Sequence, residues 1–120
     1  MKVLVTGGAG FIGSHVVDAY LAQGYEVVVV DDLSTGRLSN LNPATSFYKM
    51  DIRSPQLVDV FEKEQPDFVN HHPAKMDVRR SVAEPLYDAD VNILGSINLI
   101  ECAGKFQVRS FVYISSGGVV

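Results

Sequence analysis

The residues best suited to chemistry in this sequence are a run of glycines and one acid. Gly7-Gly8-Ala9-Gly10-Phe11-Ile12-Gly13 holds two glycine registers at once. Gly8, Gly10 and Gly13 fit G-x-G-x-x-G, whereas Gly7, Gly10 and Gly13 fit G-x-x-G-x-x-G. In either register glycine permits a tight turn, lets backbone approach a diphosphate, and lets the following helix pack close to the preceding strand. The helix N-terminus then offers unpaired N–H groups and a partial positive charge to phosphate oxygens. Asp31 lies eighteen residues beyond Gly13, where a carboxylate ending a second strand would take the ribose hydroxyls of an adenine dinucleotide. A flexible glycine turn explains the glycines alone, but not their setting between strand and helix with an acid downstream. The acid also selects: a 2′-phosphate about 5 Å from it is repelled by about 3 kcal/mol at an effective dielectric of about 20, which favours NAD over NADP. Arg37 reads as a solvated loop arginine and Asp32 as a turn residue.

The elements that must hold these residues can be read along the chain. Val3-Leu4-Val5 is a short buried strand stopping at Thr6-Gly7-Gly8. Ile12, Val16, Ala19 and Tyr20 then recur at helical spacing, with Gln23-Gly24 as the stop. Glu26 to Val30 is a second strand, Leu33 to Asn42 a polar loop, and Ser46 to Met50 a third strand. Ser54-Pro55 has the form of an N-cap and first helical residue, predicting a helix through about Glu64 that Pro66 ends. A fourth strand starts at Asp67, and the stretch from His71 to Val82 lacks clear periodicity. Pro85 opens the longest helix, whose Ile93, Ile97 and Ile100 line one face as its core side, beside Leu94, Val91 and Ala103. Ser110 to Ser115 is a fifth strand. This mostly β-α-β alternation predicts an α/β domain, a parallel sheet covered on both faces by helices.

Composition bounds the rest. With 120 residues, 47% of them hydrophobic and 20% charged, the chain has the size and core of one domain and not of a disordered tail. Its net charge of −4, without a basic cluster, argues against nucleic acid and anionic membranes as partners. The single cysteine, Cys102, excludes an internal disulfide and reads as a small core residue, which with the lack of a signal peptide or long apolar run predicts a soluble cytoplasmic protein. His71 and His72 have no Cys/His/carboxylate neighbours at metal-ligand spacing, so no metal is expected. They read as strand-end histidines satisfied by backbone. Arg79-Arg80 reads as a solvated pair.

Taken in order, the motifs carry a resemblance. Val5-Thr-Gly-Gly-Ala-Gly-Phe-Ile-Gly-Ser14, Asp31-Asp-Leu-Ser-Thr-Gly36, Asp51-Ile52, Asp77-Val-Arg-Arg-Ser-Val82, Val91-Asn92 and Ser115-Ser-Gly-Gly118 together resemble the extended short-chain dehydrogenase/reductases. The nearest branch is the NAD-dependent UDP-glucose 4-epimerases. The resemblance implies a Rossmann-type doubly wound parallel sheet over residues 1–120, cut after about the fifth strand, with NAD as cofactor. It implies that Gly7, Gly10 and Gly13, with Phe11 and Ile12 as backbone donors, hold the pyrophosphate. Asp31 would take the adenosine ribose, with Leu33, Ser34 and Gly36 lining that pocket. Asp51 and Ile52 would contact adenine, the carboxylate accepting from its amino group. Asn92 would orient loops beside the nicotinamide, and Ser116 would hydrogen-bond the sugar 4-OH; Ala74 and Lys75 fall where the cofactor passes close by, Lys75 either pairing with the pyrophosphate or pointing to water. In the parent enzyme the implied chemistry is transient oxidation at C4 of a nucleotide sugar and return of hydride to the opposite face, in a homodimer.

Two departures stand out. His71-His72-Pro73-Ala74-Lys75 replaces the two small residues and Gln usual after the strand-four histidine, and Pro73 removes a backbone N–H there. The proton-transfer pair Tyr-x-x-x-Lys is absent: Tyr20, Tyr25, Tyr48, Tyr87 and Tyr113 are followed four residues on by Gly24, Val29, Ile52, Val91 and Gly117. Together with an ending close behind a core strand, this predicts the N-terminal part of a longer enzyme, inactive by itself because no general base reaches the 4-OH. A nucleotide-sugar 4,6-dehydratase or decarboxylase shares the first half-reaction, though such dehydratases carry Thr-Asp-Glu where this chain has Ser116-Gly117-Gly118. A non-catalytic NAD-binding module is the alternative from another class.

Overall fold

The computed structural model describes residues 1–9, 11–33, 37–72 and 94–113. Five strands form one parallel sheet: β1 (Lys2–Thr6), β2 (Glu26–Asp31), β3 (Ser46–Lys49), β4 (Phe68–His71) and β5 (Ser110–Tyr113), in the order β3-β2-β1-β4-β5. Between them run α1 (Phe11–Ala22), α2 (Leu57–Glu64) and α3 (Gly95–Lys105), with a short 3-10 turn at Leu38–Asn40. The expected α/β class and strand sequence are therefore present. The predicted helix opening at Pro85 begins outside the described residues.

The apolar runs form strands because both faces of the sheet are covered. Val3, Val5, Val27 and Val29 pack under α1 through Val17. Leu4, Val28, Val30 and Val69 point the other way, onto Leu57, Val60 and Phe61 of α2 and Leu99 and Cys102 of α3. Full burial of such a side chain contributes about 1.5–3 kcal/mol relative to exposure. Cys102 lies in this core as a free thiol, and burial pushes its pKa up.

Three local expectations are corrected. The face of α1 read from Ile12, Val16, Ala19 and Tyr20 is rotated: Ile12 is 61% exposed and Ala19 is exposed, while Gly13 and Val17 face inward. The isoleucine face of α3 is likewise turned away from the core. Ile97 and Ile100 are 48% and 53% exposed with Leu94 beside them, whereas Gly95, Leu99, Cys102 and Ala103 are buried; Ile93 and Val91 lie outside the described residues. In both helices a glycine decides the rotation. A Cβ at Gly13 would stand 2.0 Å from the Gly7 carbonyl oxygen, and one at Gly95 would stand 2.6 Å from Ile52. Each glycine lets its helix sit close against the turn it faces, and the larger apolar residues lie on the outside.

The third correction concerns the start of α2, which opens at Leu57 and not behind Ser54. Ser54 Oγ instead accepts from the Gln56 N–H at 3.1 Å, and the Ser54 N–H bonds to the Asp51 carbonyl at 2.9 Å, so residues 51–56 fold as tight turns. At its other end α2 closes through Gln65 in the left-handed region (φ 49°), immediately before Pro66, as expected.

Candidate functional site

Because every strand runs the same way, their C-terminal ends share one edge. That edge carries Thr6-Gly7, Asp31, Met50-Asp51 and His71-His72. The chain leaves β1 for β2 and β3 on one side, while β4 and β5 lie on the other. The crevice between β1 and β4 is thus the topological switch point, where doubly wound sheets bind ligands.

The glycine turn lines this crevice. Gly7 has φ +70°, a conformation that L side chains rarely adopt, and its N–H bonds to the Val30 carbonyl at 3.0 Å. Gly8 has no room for a side chain either, since its Cβ would lie 2.7 Å from Val29. The two registers therefore share the work, Gly7 supplying conformation and Gly8 clearance. With Gly13 against Gly7, α1 starts directly behind the turn. The N–H groups of Phe11 and Ile12 belong to its first turn, which has no intrahelical acceptors.

Asp31 is 8% exposed and stitches this turn to β2. Its Oδ2 accepts from the Ala9 N–H at 3.0 Å and its Oδ1 from the Leu33 N–H at 2.8 Å, with Leu33 at φ +63°. Each carboxylate oxygen keeps a second lone pair for another donor. The Ala9 carbonyl in turn accepts from the Arg37 N–H at 3.0 Å and from Asn40 Nδ2 at 3.1 Å. Arg37 is exposed, as expected, yet its backbone closes the site.

On the β3 side, the Asp51 carboxylate accepts from the Arg53 N–H (2.8 Å), from Nε on both oxygens (3.1 Å each) and from Nη2 (2.7 Å). The Arg53 side-chain hydrogen bonds hold the Asp51 carboxyl below its ordinary pKa, against the opposing effect of burial. Asn98 of α3 donates to the Ile52 carbonyl at 2.7 Å and the Ser54 carbonyl at 3.0 Å. The Ile52 side chain packs beneath Gly95, leaving backbone at the crevice. Beside this turn is a cavity of about 420 Å³ lined by Asp51, Arg53, Ser54 and Leu94.

Both printed partners of the His71 ring nitrogens are hydroxyls, Thr6 and Ser96. The His72 N–H donates to Thr6 Oγ1 at 3.0 Å, Thr6 Oγ1 pairs with His71 Nδ1 at 2.6 Å, and His71 Nε2 pairs with Ser96 Oγ at 2.9 Å. Burial, with a smaller contribution from His72, lowers the His71 pKa to about 4, so the ring is neutral at pH 7. No group of metal-binding side chains occurs among the described residues.

Sequence reasoning missed Thr6, Ala9, Asn40, Ser96 and Asn98. Only Asn98 carried a signal: asparagine is a poor helix former in mid-helix, so its presence there asks for a partner. Gly10, Ser34, Gly36, Ala74, Lys75, Asn92 and Ser116 lie outside the described residues, as do Pro73 and the Arg79-Arg80 pair. No helix among the described residues is long and apolar enough to cross a membrane.

A parallel sheet with a glycine turn at its switch point, a helix starting behind that turn and a buried acid at the end of β2 define a Rossmann-type dinucleotide-binding domain. The residues fit such a group: the turn excludes side chains where a diphosphate must approach, and Asp31 retains free lone pairs. The chain matches the NAD dependent epimerase/dehydratase family over residues 3–120, and it belongs to that family, whose cofactor is NAD. It is 44% identical over 118 residues to a putative UDP-glucose 4-epimerase of Methanocaldococcus jannaschii, covering 98% of this chain and 39% of that protein. To the UDP-glucose 4-epimerase of Mycolicibacterium smegmatis it is 45% identical over 125 residues, covering 40% of its length. Among solved structures, the Thermotoga maritima UDP-glucose 4-epimerase with UDP-glucose superposes with a TM-score of 0.93 at 46% identity, over 98% of this chain and 38% of that one. The Thermus thermophilus UDP-glucose 4-epimerase complexed with NAD gives 0.92 at 44% identity, with the same coverage. The chain thus spans about two-fifths of the length of these relatives.

Proposed function

We propose that this chain is the NAD-binding part of a nucleotide-sugar 4-epimerase of the UDP-glucose/UDP-galactose type. The observation that carries the reading is the buried Asp31 carboxylate, tied to the glycine turn through Ala9 and still able to accept from a ribose. The identity with UDP-glucose 4-epimerases supports the substrate class. Gly7, Gly10 and Gly13 would admit the pyrophosphate to the N–H groups of Phe11 and Ile12. Leu33, Ser34 and Gly36 would line the ribose pocket, Asp51 and Ile52 would meet the adenine, Ala74 and Lys75 would border the cofactor near its pyrophosphate, and Asn92 would orient loops beside the nicotinamide half. Ser116 would donate to or accept from the sugar 4-OH. The dinucleotide, when bound, supplies reversible oxidation at the sugar carbon, and the chain's own work is to orient it and hold its charges.

Binding and turnover separate in this reading. None of the five tyrosines is followed by lysine at the fourth position, so these residues supply no general base for the 4-OH. Calorimetric titration should show NAD⁺ binding, NADP⁺ binding weaker by about a hundredfold from the Asp31 repulsion, and no interconversion of UDP-sugars. Equal affinity for the two dinucleotides, or binding of neither, would overturn the assignment of Asp31. Epimerisation by the 120-residue chain would overturn the assignment of the missing base.

A further inference from the structure

We infer that Arg53 is a positioning residue that makes the Asp51 carboxylate a reader of the adenine base. The inference rests on the proposed placement of adenine beside Asp51 and concerns how that acid tells one purine from another.

The backbone of this turn is already fixed without Arg53. Asn98 holds the carbonyls of Ile52 and Ser54, the Ser54 N–H bonds to the Asp51 carbonyl, and Gly95 seats the Ile52 side chain. What remains free is the Asp51 side chain, and Arg53 takes it by a two-pronged contact. A carboxylate has roughly four acceptor positions. The Arg53 N–H and Nε occupy both on Oδ1, while Nη2 and the shared Nε occupy most of Oδ2. That leaves one acceptor position, and Asp51 lines a cavity together with Arg53, Ser54 and Leu94.

The pair is partly buried, its side chains 28% and 29% exposed, so the fork contributes to the stability of the turn as well as to the setting of the acid. The fork also provides direction, because planar guanidinium contacts fix a carboxylate in orientation as well as in charge. A fixed acceptor that stays ionised suits one partner on a purine edge, an N–H donor. Adenine presents its exocyclic amino group there; hypoxanthine presents a carbonyl oxygen, which the carboxylate repels.

The test compares NAD⁺ with nicotinamide hypoxanthine dinucleotide by calorimetric titration of the chain, its Arg53→Gln and Arg53→Lys variants, and Asp51→Asn alone and combined with Arg53→Gln. The wild type should prefer NAD⁺ by about tenfold or more, the scale of a hydrogen bond to a charged group. Arg53→Gln should compress that ratio to about threefold or less, with Arg53→Lys intermediate, since lysine keeps the charge without the fork. In the Asp51→Asn background, Arg53→Gln should leave the ratio unchanged, because Arg53 acts through that acid. Circular dichroism reports folding; should Arg53→Gln unfold, Arg53→Lys decides, a reduced ratio supporting the inference and a wild-type ratio overturning it. An undiminished ratio in both variants overturns it. Equal wild-type affinity for the two dinucleotides overturns it while leaving the NAD reading intact, and binding of neither removes both.

Discussion

Gly13→Ala tests the central contact of the site. The added Cβ would lie 2.0 Å from the Gly7 oxygen, 2.9 Å from its carbonyl carbon and 3.1 Å from the Gly8 Cα. All three are backbone atoms of a turn pinned by Asp31, Val29 and the Val30 carbonyl, so no side chain can swing aside. Ordinary contact begins at 3.4 Å, so α1 and the turn must separate by about 1.4 Å along that direction. Forcing such overpacking costs about 3 kcal/mol, which for a chain of this size lowers the melting temperature by roughly 10 °C. The same displacement carries the first-turn N–H groups from the diphosphate, and a misplacement of about 1 Å weakens an aligned interaction on the order of tenfold to a hundredfold. Urea unfolding and NAD⁺ titration read the two effects separately. Gly104→Ala is the internal control: nothing lies within 4 Å of its Cβ, so it should stabilise α3 by about 0.5–1 kcal/mol. A Gly13→Ala chain that melts within about a degree of wild type, or above it as Gly104→Ala should, would refute the packing argument.

Three further outcomes are expected. His71 is neutral in the fold and its pKa falls from 6.5 to about 4, so the unfolded chain binds the extra proton between those values and stability falls as pH drops through that window. The loss from His71 amounts to about 3 kcal/mol, with the stability present in full above about pH 6.5; urea midpoints between about pH 7.5 and 4 should show it, and His71→Phe should reduce the slope to the part that His72 contributes, its pKa also lowered by burial. Asp51 and Glu64, lowered by the hydrogen bonds of Arg53 and the Tyr48 hydroxyl, add their losses only below the ordinary carboxylate range. Asp31→Asn removes the charge that repels a 2′-phosphate, so the NAD⁺/NADP⁺ affinity ratio should shrink about tenfold or more, while one of the bonds to Ala9 or Leu33 is lost at about 1–3 kcal/mol. Cys102, buried and with its thiol pKa raised, should resist a disulfide reagent in buffer and react promptly in urea; rapid labelling of the folded chain would place it outside the core.

The strands were legible because a sheet buried on both faces demands continuous apolar runs, and Val27 to Val30 admits no other reading. The glycine turn and Asp31 were legible because their spacing encodes a geometry that few other arrangements satisfy. Helix orientation was not. Counting apolar residues put Ile97 and Ile100 inside, but the buried face holds Gly95, whose missing side chain leaves room for the Ile52 side chain from across a long stretch of intervening chain. The supposed cap at Ser54 failed for a related reason: Arg53 and Asp51 build a local turn that a helix starting there would have to break. Thr6, His71 and Ser96 were unreadable as a set, because hydroxyl and imidazole groups far apart in the chain carry no pattern until β1, β4 and α3 are assembled.

The carbonyl of Ala9 receives both the Arg37 N–H and the Asn40 side chain, so residues 37–40 are tied back to the glycine turn. A protein engineer transplanting this turn into another scaffold would find that the glycines alone do not travel. The smallest portable cassette runs from Val5 to Asn40, and altering the length of its distal loop would be felt at the start of α1.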